Sequence, residues 1–373
     1  MMSEIILFCV LLLPLTTLFP AKGCANGISH QAFRGWLALM IVVGHDFSRY
    51  FDSASGLWNF PYPKYLSALR MGIQTTGFLI VAVFFAFSAY GCRNYIRLGR
   101  AIDGNFLKKR LRQVYIPFLI IHLSLGILRK EIYSGITWKQ LFMSCFDVNV
   151  WGVHWFIPHI LIFYITFYCV YSSCTKYADA VICILYALFL MYNLAAVTSE
   201  TFYVSEGGVV VGILYNRYEE QIERWTRKTW LAIIAAFFLI YNYPFLFWPN
   251  GIRFSLLDNG PIYRMLSASL AALICMQLVK RVDFSKNRIL AFLGTISLEV
   301  YLVHTFCGIC TDTICSYVMG LGASKSVSWG IKNMLTIVLT IILSVLYHKL
   351  IQKVMRRGLR SEVAGTKARE KIV

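Results

Sequence analysis

Charge is what this chain has least of. Only 14% of its 373 residues are Asp, Glu, Lys or Arg, against about a quarter in a soluble globular domain. The shortage is worse on the acidic side, with 18 acidic residues to 36 basic ones. No polar stretch is long enough for a separate soluble domain, so the chain reads as one membrane unit. A net charge of +18 would suit nucleic acid, but the basic residues fall between apolar segments rather than in one patch, and no nucleic-acid partner is expected. What fills the chain is apolar: 58% hydrophobic residues and a mean hydropathy of +0.62. The fold class is therefore an all-α polytopic membrane protein.

Apolar stretches fall at about 4–20, 33–51, 71–92, 113–128, 155–173, 178–197, 203–215, 229–248, 261–279, 289–306 and 330–351. The first lacks a basic leader, carries Glu4 and has no small-x-small cleavage pattern. It is expected to be an extra anchoring helix rather than a signal peptide. The division that follows is an anchoring helix and linker over 1–28, a domain of about ten core helices over 29–351, and a basic cytosolic tail over 352–373. The segment 203–215 is short and Gly-rich; it either crosses or enters and pairs with a neighbour. Starting 33–51 on the inside and alternating, the inner loops and the tail hold 24 Lys and Arg and the outer loops nine. This is the positive-inside pattern, and it survives every segment. The basic tail then lies beside lipid rather than nucleic acid. The eleven cysteines are scattered, mostly inside apolar stretches, where they act as small hydrophobes. Cys307, Cys310 and Cys315 cluster with His304 nearby, but no metal is expected.

The stretch FRGWLALMIVVGHDFSRYF, 33–51, carries Arg34 and His45. Eleven residues of helix return to within about 20° of the same face after a rise of about 16 Å, so the pair shares one stripe. Ionisable groups inside a membrane are costly and are functional suspects by default. The plain alternative is a snorkelling arginine and a hydrogen-bonded histidine. Asp46 points about 100° away from His45 on a helix and is a poor orienting partner.

Other stretches line up with this one: VFFAFSAYG at 83–91, KKRLRQVYIP at 108–117, HWFIPHILIFY at 154–164 and LGTISLEVYLVH at 293–304. In the last, Ser297, Tyr301 and His304 share a helix face. In this order the set resembles integral-membrane acyltransferase family 3, which includes many glycan O-acetyltransferases. The likeness runs from about 29 to 351. It departs at Ser88-Ala89, where the family usually has Ser-Gly, and at Lys109-Arg110-Leu111-Arg112, where the family often has Arg-x-x-Arg.

The resemblance implies transfer of an acetyl group from cytosolic acetyl-CoA, as cosubstrate, to a hydroxyl of an envelope or exported glycan, free or lipid-linked. It also implies residence in a bacterial cytoplasmic (inner) membrane. Such a reaction needs a base for the hydroxyl proton, and histidine serves near neutral pH; the expectation falls on His45. The donor's phosphates need cations on the inner side, and arginine binds phosphate bidentately. Arg34, Arg110 and Arg112, with Ser88, are the expected donor contacts. For Arg110 and Arg112 the plainer account is topology alone. His304 and Tyr301 either touch the acceptor or close a hydrogen-bond network. Trp155, with His154 and His159, lies at the outer mouth, where aromatic-belt duty is the simpler reading. His122 is expected to pack against a neighbour.

Two other classes compete: a transporter or flippase for a lipid-linked glycan, and a polysaccharide polymerase. Transporters often carry repeated halves with broken helices, and no internal repeat is visible. Polymerases tend to carry a large arginine-bearing outer loop; the longest one here, 129–154, is modest. Neither class explains the Arg34–His45 stripe.

Overall fold

The computed structural model describes residues 27–54, 76–132, 137–143, 145, 155–173, 176–196, 203–243, 260–323 and 325–370. The apolar stretch 4–20, His154 and the side chain of Asp46 lie outside the described residues. Among the described residues, every regular element is a helix. These are α1 Gly27–Ala54, α2 Thr76–Arg97, α3 Gly104–Ile132, α4 Trp138–Met143, α5 Phe156–Ser173 and α6 Ala178–Ala195. They continue as α7 Gly207–Arg217, α8 Glu219–Tyr241, α9 Gly260–Arg281, α10 Arg288–Thr295, α11 Ser297–Gly320 and α12 Lys325–Glu370. Seven of them (α2, α3, α5, α6, α9, α11 and α12) are long and apolar enough to cross a membrane. The protein is an all-α, polytopic membrane protein.

Capping explains several boundaries. The Asp103 carboxylate accepts the Phe106 N–H at 2.9 Å and so starts α3. That bond, the largest influence on it, holds the exposed carboxyl below the usual carboxylate range. Asn287 caps α10 in the same way, accepting from Leu290 N at 3.0 Å. The apolar stretch 289–306 is not one helix. It breaks at Ile296, whose φ of −109° and ψ of 16° are not helical, and the break places Gly294 and Ser297 beside α1.

The short segment behaves as a buried rod. α7 has 11 residues, about 16 Å of helix, roughly half the ~30 Å hydrocarbon core. At its start, Ser205 donates to the Phe78 carbonyl near the beginning of α2, at 2.8 Å. At its end, Arg217 reaches Asp179 at 3.1 Å, the same carboxylate that Arg93 near the end of α2 holds at 2.9 Å. So 203–217 runs beside α2 from near its start to near its end. It can be short because protein rather than lipid surrounds it: Gly207, Gly208, Val209, Gly212, Ile213, Tyr215 and Asn216 are all buried. A Cβ on Gly208 or Gly212 would collide with the carbonyl oxygens of Ala82 and Ala86, so only glycine lets the two backbones touch.

The same device joins α1 to α10. A Cβ on Gly35 would overlap the Leu290 carbonyl, and one on Gly294 would overlap the Gln31 carbonyl. Gly294→Ala is therefore expected to force the helices apart and destabilise the protein by about 1–3 kcal/mol or more. Gly320, with nothing within 4 Å of its Cβ position, supplies the control. Thermal unfolding in detergent should show a clear fall for Gly294→Ala and almost none for Gly320→Ala. Equal midpoints would mean that α1 and α10 have room to spare.

Phe33, Leu37, Ile41, Ile121, Ile157, Leu290, Val300 and Val303 form the main core, at the meeting of α1, α3, α5, α10 and α11. The final helix α12 runs 46 residues, about 69 Å, so the stretch 352–370 continues the same helix past its apolar part. From the basic-residue bias, the 98–103 turn is expected inside and α4 outside. With Gln140→Cys in a cysteine-depleted background, a membrane-impermeant thiol reagent should label the protein from outside only. Labelling from the cytosol alone would invert the topology and the donor side with it.

Candidate active site

The close approach at Gly35 and Gly294 sets Arg34 next to the break between α10 and α11. Its guanidinium donates to Ser297 Oγ at 3.2 Å and to the Gly294 carbonyl at 3.5 Å. Arg110, Tyr164 and Glu299 are close enough to act on it electrostatically. Arg34 keeps accessible surface although Phe33 and Leu37 beside it are buried. Its neighbours come from α3, α5 and α11, so that surface faces the inside of the bundle rather than lipid.

Arg110 lies over the rings of Phe106 and Tyr164, at 5.4 and 5.8 Å from their centroids, and Tyr164 hydrogen-bonds Ser88. Arg34, Ser88, Arg110 and Tyr164 thus surround one region of the bundle. Arg112 stands about 200° round α3 from Arg110, so the two arginines do not share a face.

Eleven residues along α1, His45 meets His304 of α11, edge to face, with ring centroids 5.0 Å apart. His45 has accessible surface, whereas His304 is buried behind it at 2% exposure. His304 Nδ1 lies 2.6 Å from the Tyr301 carbonyl. A carbonyl only accepts, so Nδ1 carries a proton; Nε2 lies 3.2 Å from the Thr305 hydroxyl. Gly77, at the start of α2, brings bare backbone to His45: a Cβ there would stand 3.7 Å from His45 Nε2.

Tyr301 is buried against Phe156, with ring centroids 5.5 Å apart, and next to His304 at 5.9 Å. Trp155 packs edge-on to His159 at 5.8 Å. The structure therefore brings His45, His304 and Tyr301 together, with Phe156 against Tyr301 and Trp155 packed on His159. His122 stacks on Phe118 at 4.9 Å, as the packing expectation required. Among the described residues, no three His, Cys, Asp or Glu side chains converge on a point where a metal could sit. Cys307 and Cys315 are buried and Cys310 is half-buried.

Several polar partners have no simple signature in the sequence. His159 pairs with Glu206 at the head of α7. Glu299 pairs with His348 of α12 at 2.8 Å. Asp179 collects Arg93, Arg217 and Tyr171. Lys332, wholly buried, reaches Asp312 at 2.5 Å and lies over Trp329 at 3.9 Å. The available signal was only that each is an ionisable group in an apolar stretch.

Comparison with known proteins agrees with this architecture. A family model described as an acyltransferase domain, that of acyltransferase family 3, matches residues 30–349. No curated protein and no solved structure matches the chain. The matched span runs from α1 into α12 and so takes in the Arg34 region and the His45–His304 pair alike. The chain belongs to acyltransferase family 3 and is an integral-membrane acyltransferase.

Proposed function

We propose that this acyltransferase moves an acetyl group from cytosolic acetyl-CoA to a hydroxyl of an envelope or exported glycan, free or lipid-linked, in a bacterial cytoplasmic membrane. The observation that carries the reading is the stripe on α1. Arg34 stands near the inner end of the bundle among Arg110, Ser88 and Tyr164. His45, about 16 Å further along the same face, stands against His304. One end suits an anionic donor and the other suits proton transfer.

In the proposed reaction the donor's phosphates engage Arg34 and Arg110 by charge-assisted hydrogen bonds. The pantetheine arm runs along the stripe and brings the thioester carbon to His45. The acceptor enters from the outer side, past Tyr301 and Trp155. His45 removes the hydroxyl proton as the oxygen attacks the thioester carbon. The carbon–sulfur bond then breaks, and the thiolate leaves and takes up a proton. His304, held by the Tyr301 carbonyl, stands behind His45 and fixes its ring. Arg112 serves the inside-positive topology or a separate phosphate contact.

The test is direct. Purified protein in liposomes, given radiolabelled acetyl-CoA on the side of the C-terminal tail and glycan from the producing cells on the other, should move label into the glycan. Label that stays on coenzyme A, with the protein folded, would overturn the reading.

A further inference from the structure

A line of buried polar residues runs along α12 and is not used by the reaction as described. Every fourth residue is polar: Ser328, Lys332, Thr336, Thr340 and Ser344, each at most 1% exposed, and then His348. Such an i+4 row is the ridge by which a helix packs on its neighbours. Here it meets α11, with α1 and α3 alongside.

Two side-chain contacts fix the register of the two helices. The Thr311 and Thr336 hydroxyls are 2.6 Å apart, and Glu299 and His348 are 2.8 Å apart. Twelve residues separate the two contacts on each helix, so α11 and α12 lie antiparallel and level with one another. Counting inward from Glu299–His348, His304 stands at the height of the step from Thr340 to Ser344. His304 also lies within about 20° of the α11 face that carries Thr311 to α12.

At that height the seam is polar and not satisfied by protein. Thr340 Oγ1 and Ser344 Oγ are buried, and neither has a hydrogen-bond partner among the described residues. A hydroxyl in a helix usually satisfies itself on the carbonyl four residues back, and buried polar groups left over by protein are usually met by internal water. At one end of the row stand Glu299 and His348, with Arg34 within electrostatic reach of Glu299. At the other end stand Lys332 and Asp312.

We propose that the seam between α11 and α12 is a hydrated proton path that joins the His45–His304 pair to Glu299–His348 at the donor end. It rests on the reading of His45 as the base. The proton balance is simple. The acceptor O–H bond breaks as an N–H bond forms on His45. That proton passes to the Nε2 lone pair of His304, then through water held by Thr340 and Ser344 to the His348–Glu299 pair. There it is released to the cytosolic side, and the coenzyme A thiolate gains an S–H bond. No oxidant, reductant or further reactant is needed. The seam resets His45 after each turnover without opening the acceptor side.

The experiment joins Thr340→Val with Ser344→Ala, which removes both hydroxyls at nearly constant volume. With acetyl-CoA and glycan from the producing cells as probes, kcat should fall about tenfold, less than the roughly 10²-fold that marks loss of the base itself. KM for acetyl-CoA should not move, and the solvent deuterium isotope effect should grow. Thr340→Ser, which keeps the hydroxyl, should behave as wild type. An unchanged kcat with a raised unfolding midpoint would show a dry, merely structural seam and overturn the proposal. If the double variant does not fold, a wild-type structure at a resolution that shows water decides: water on Thr340 Oγ1 and Ser344 Oγ is expected, and a dry seam overturns it. The two readings fail separately. Activity lost in His45→Ala but untouched by the seam variant removes the path alone, whereas activity kept in His45→Ala removes the base.

Discussion

Replacing His45 with alanine is expected to abolish acyl transfer while the protein still folds and inserts. A general base typically contributes 10²–10⁴-fold, so residual turnover should be at or below about 1% of wild type. The side chain has accessible surface, and its loss opens no cavity of the kind that a buried aliphatic would leave. The fold should therefore survive, as a monodisperse chromatographic profile and a near-normal thermal midpoint would show. His304→Gln makes a useful companion. It removes the ring at 5.0 Å from His45, and kcat should fall less than in His45→Ala. Purified His45→Ala that keeps more than about a tenth of wild-type turnover would mean that another group takes the hydroxyl proton.

Arg34→Ala should weaken acetyl-CoA binding roughly 10–100-fold, since a hydrogen bond to a charged group is worth about 1.5–3 kcal/mol. Arg110→Ala should have a similar or smaller effect. The two should differ in salt dependence. Arg110 lies near the inner surface, where counterions screen it, so part of its contribution should vanish at high salt. Arg34, held to Ser297 and the Gly294 carbonyl with its surface facing the inside of the bundle, should keep its effect. Arg34 also ties α1 to Ser297 at 3.2 Å, so a structural loss has to be separated from a donor loss. Arg34→Lys does this: it keeps the charge but not the planar fork, and donor affinity should recover only in part. Calorimetric titration of acetyl-CoA into each variant at two salt concentrations is the measurement. Unchanged affinity in both alanine variants would mean that these arginines serve topology alone.

The sequence made the helices legible because a membrane span is written in one dimension, as a run of apolar residues. It made the Arg34–His45 stripe legible because helical periodicity is local. It put Tyr301 and His304 on one face for the same reason. What it does not contain is which helices touch. The meeting of His45 with His304 depends on α1 packing against α10 and α11, and that packing depends on bare backbone at Gly35 and Gly294. Each glycine alone is unremarkable in a sequence. The break at Ile296 was also hidden, because 289–306 stays apolar straight through it. For segment 203–215 the sequence leaves open whether it crosses or enters and pairs with a neighbour, and it is short because its surroundings are protein. Glu206 with His159 and Glu299 with His348 are long-range pairs, and no spacing rule ties their members together.

The most direct test of the central claim is mass spectrometry of envelope glycans from three otherwise identical strains: one making the protein, one lacking it and one making His45→Ala at the same level. The account predicts alkali-labile acetyl esters on a glycan in the first strain and their loss in the other two. The same acetyl esters in all three strains, or their full restoration by His45→Ala, would contradict it.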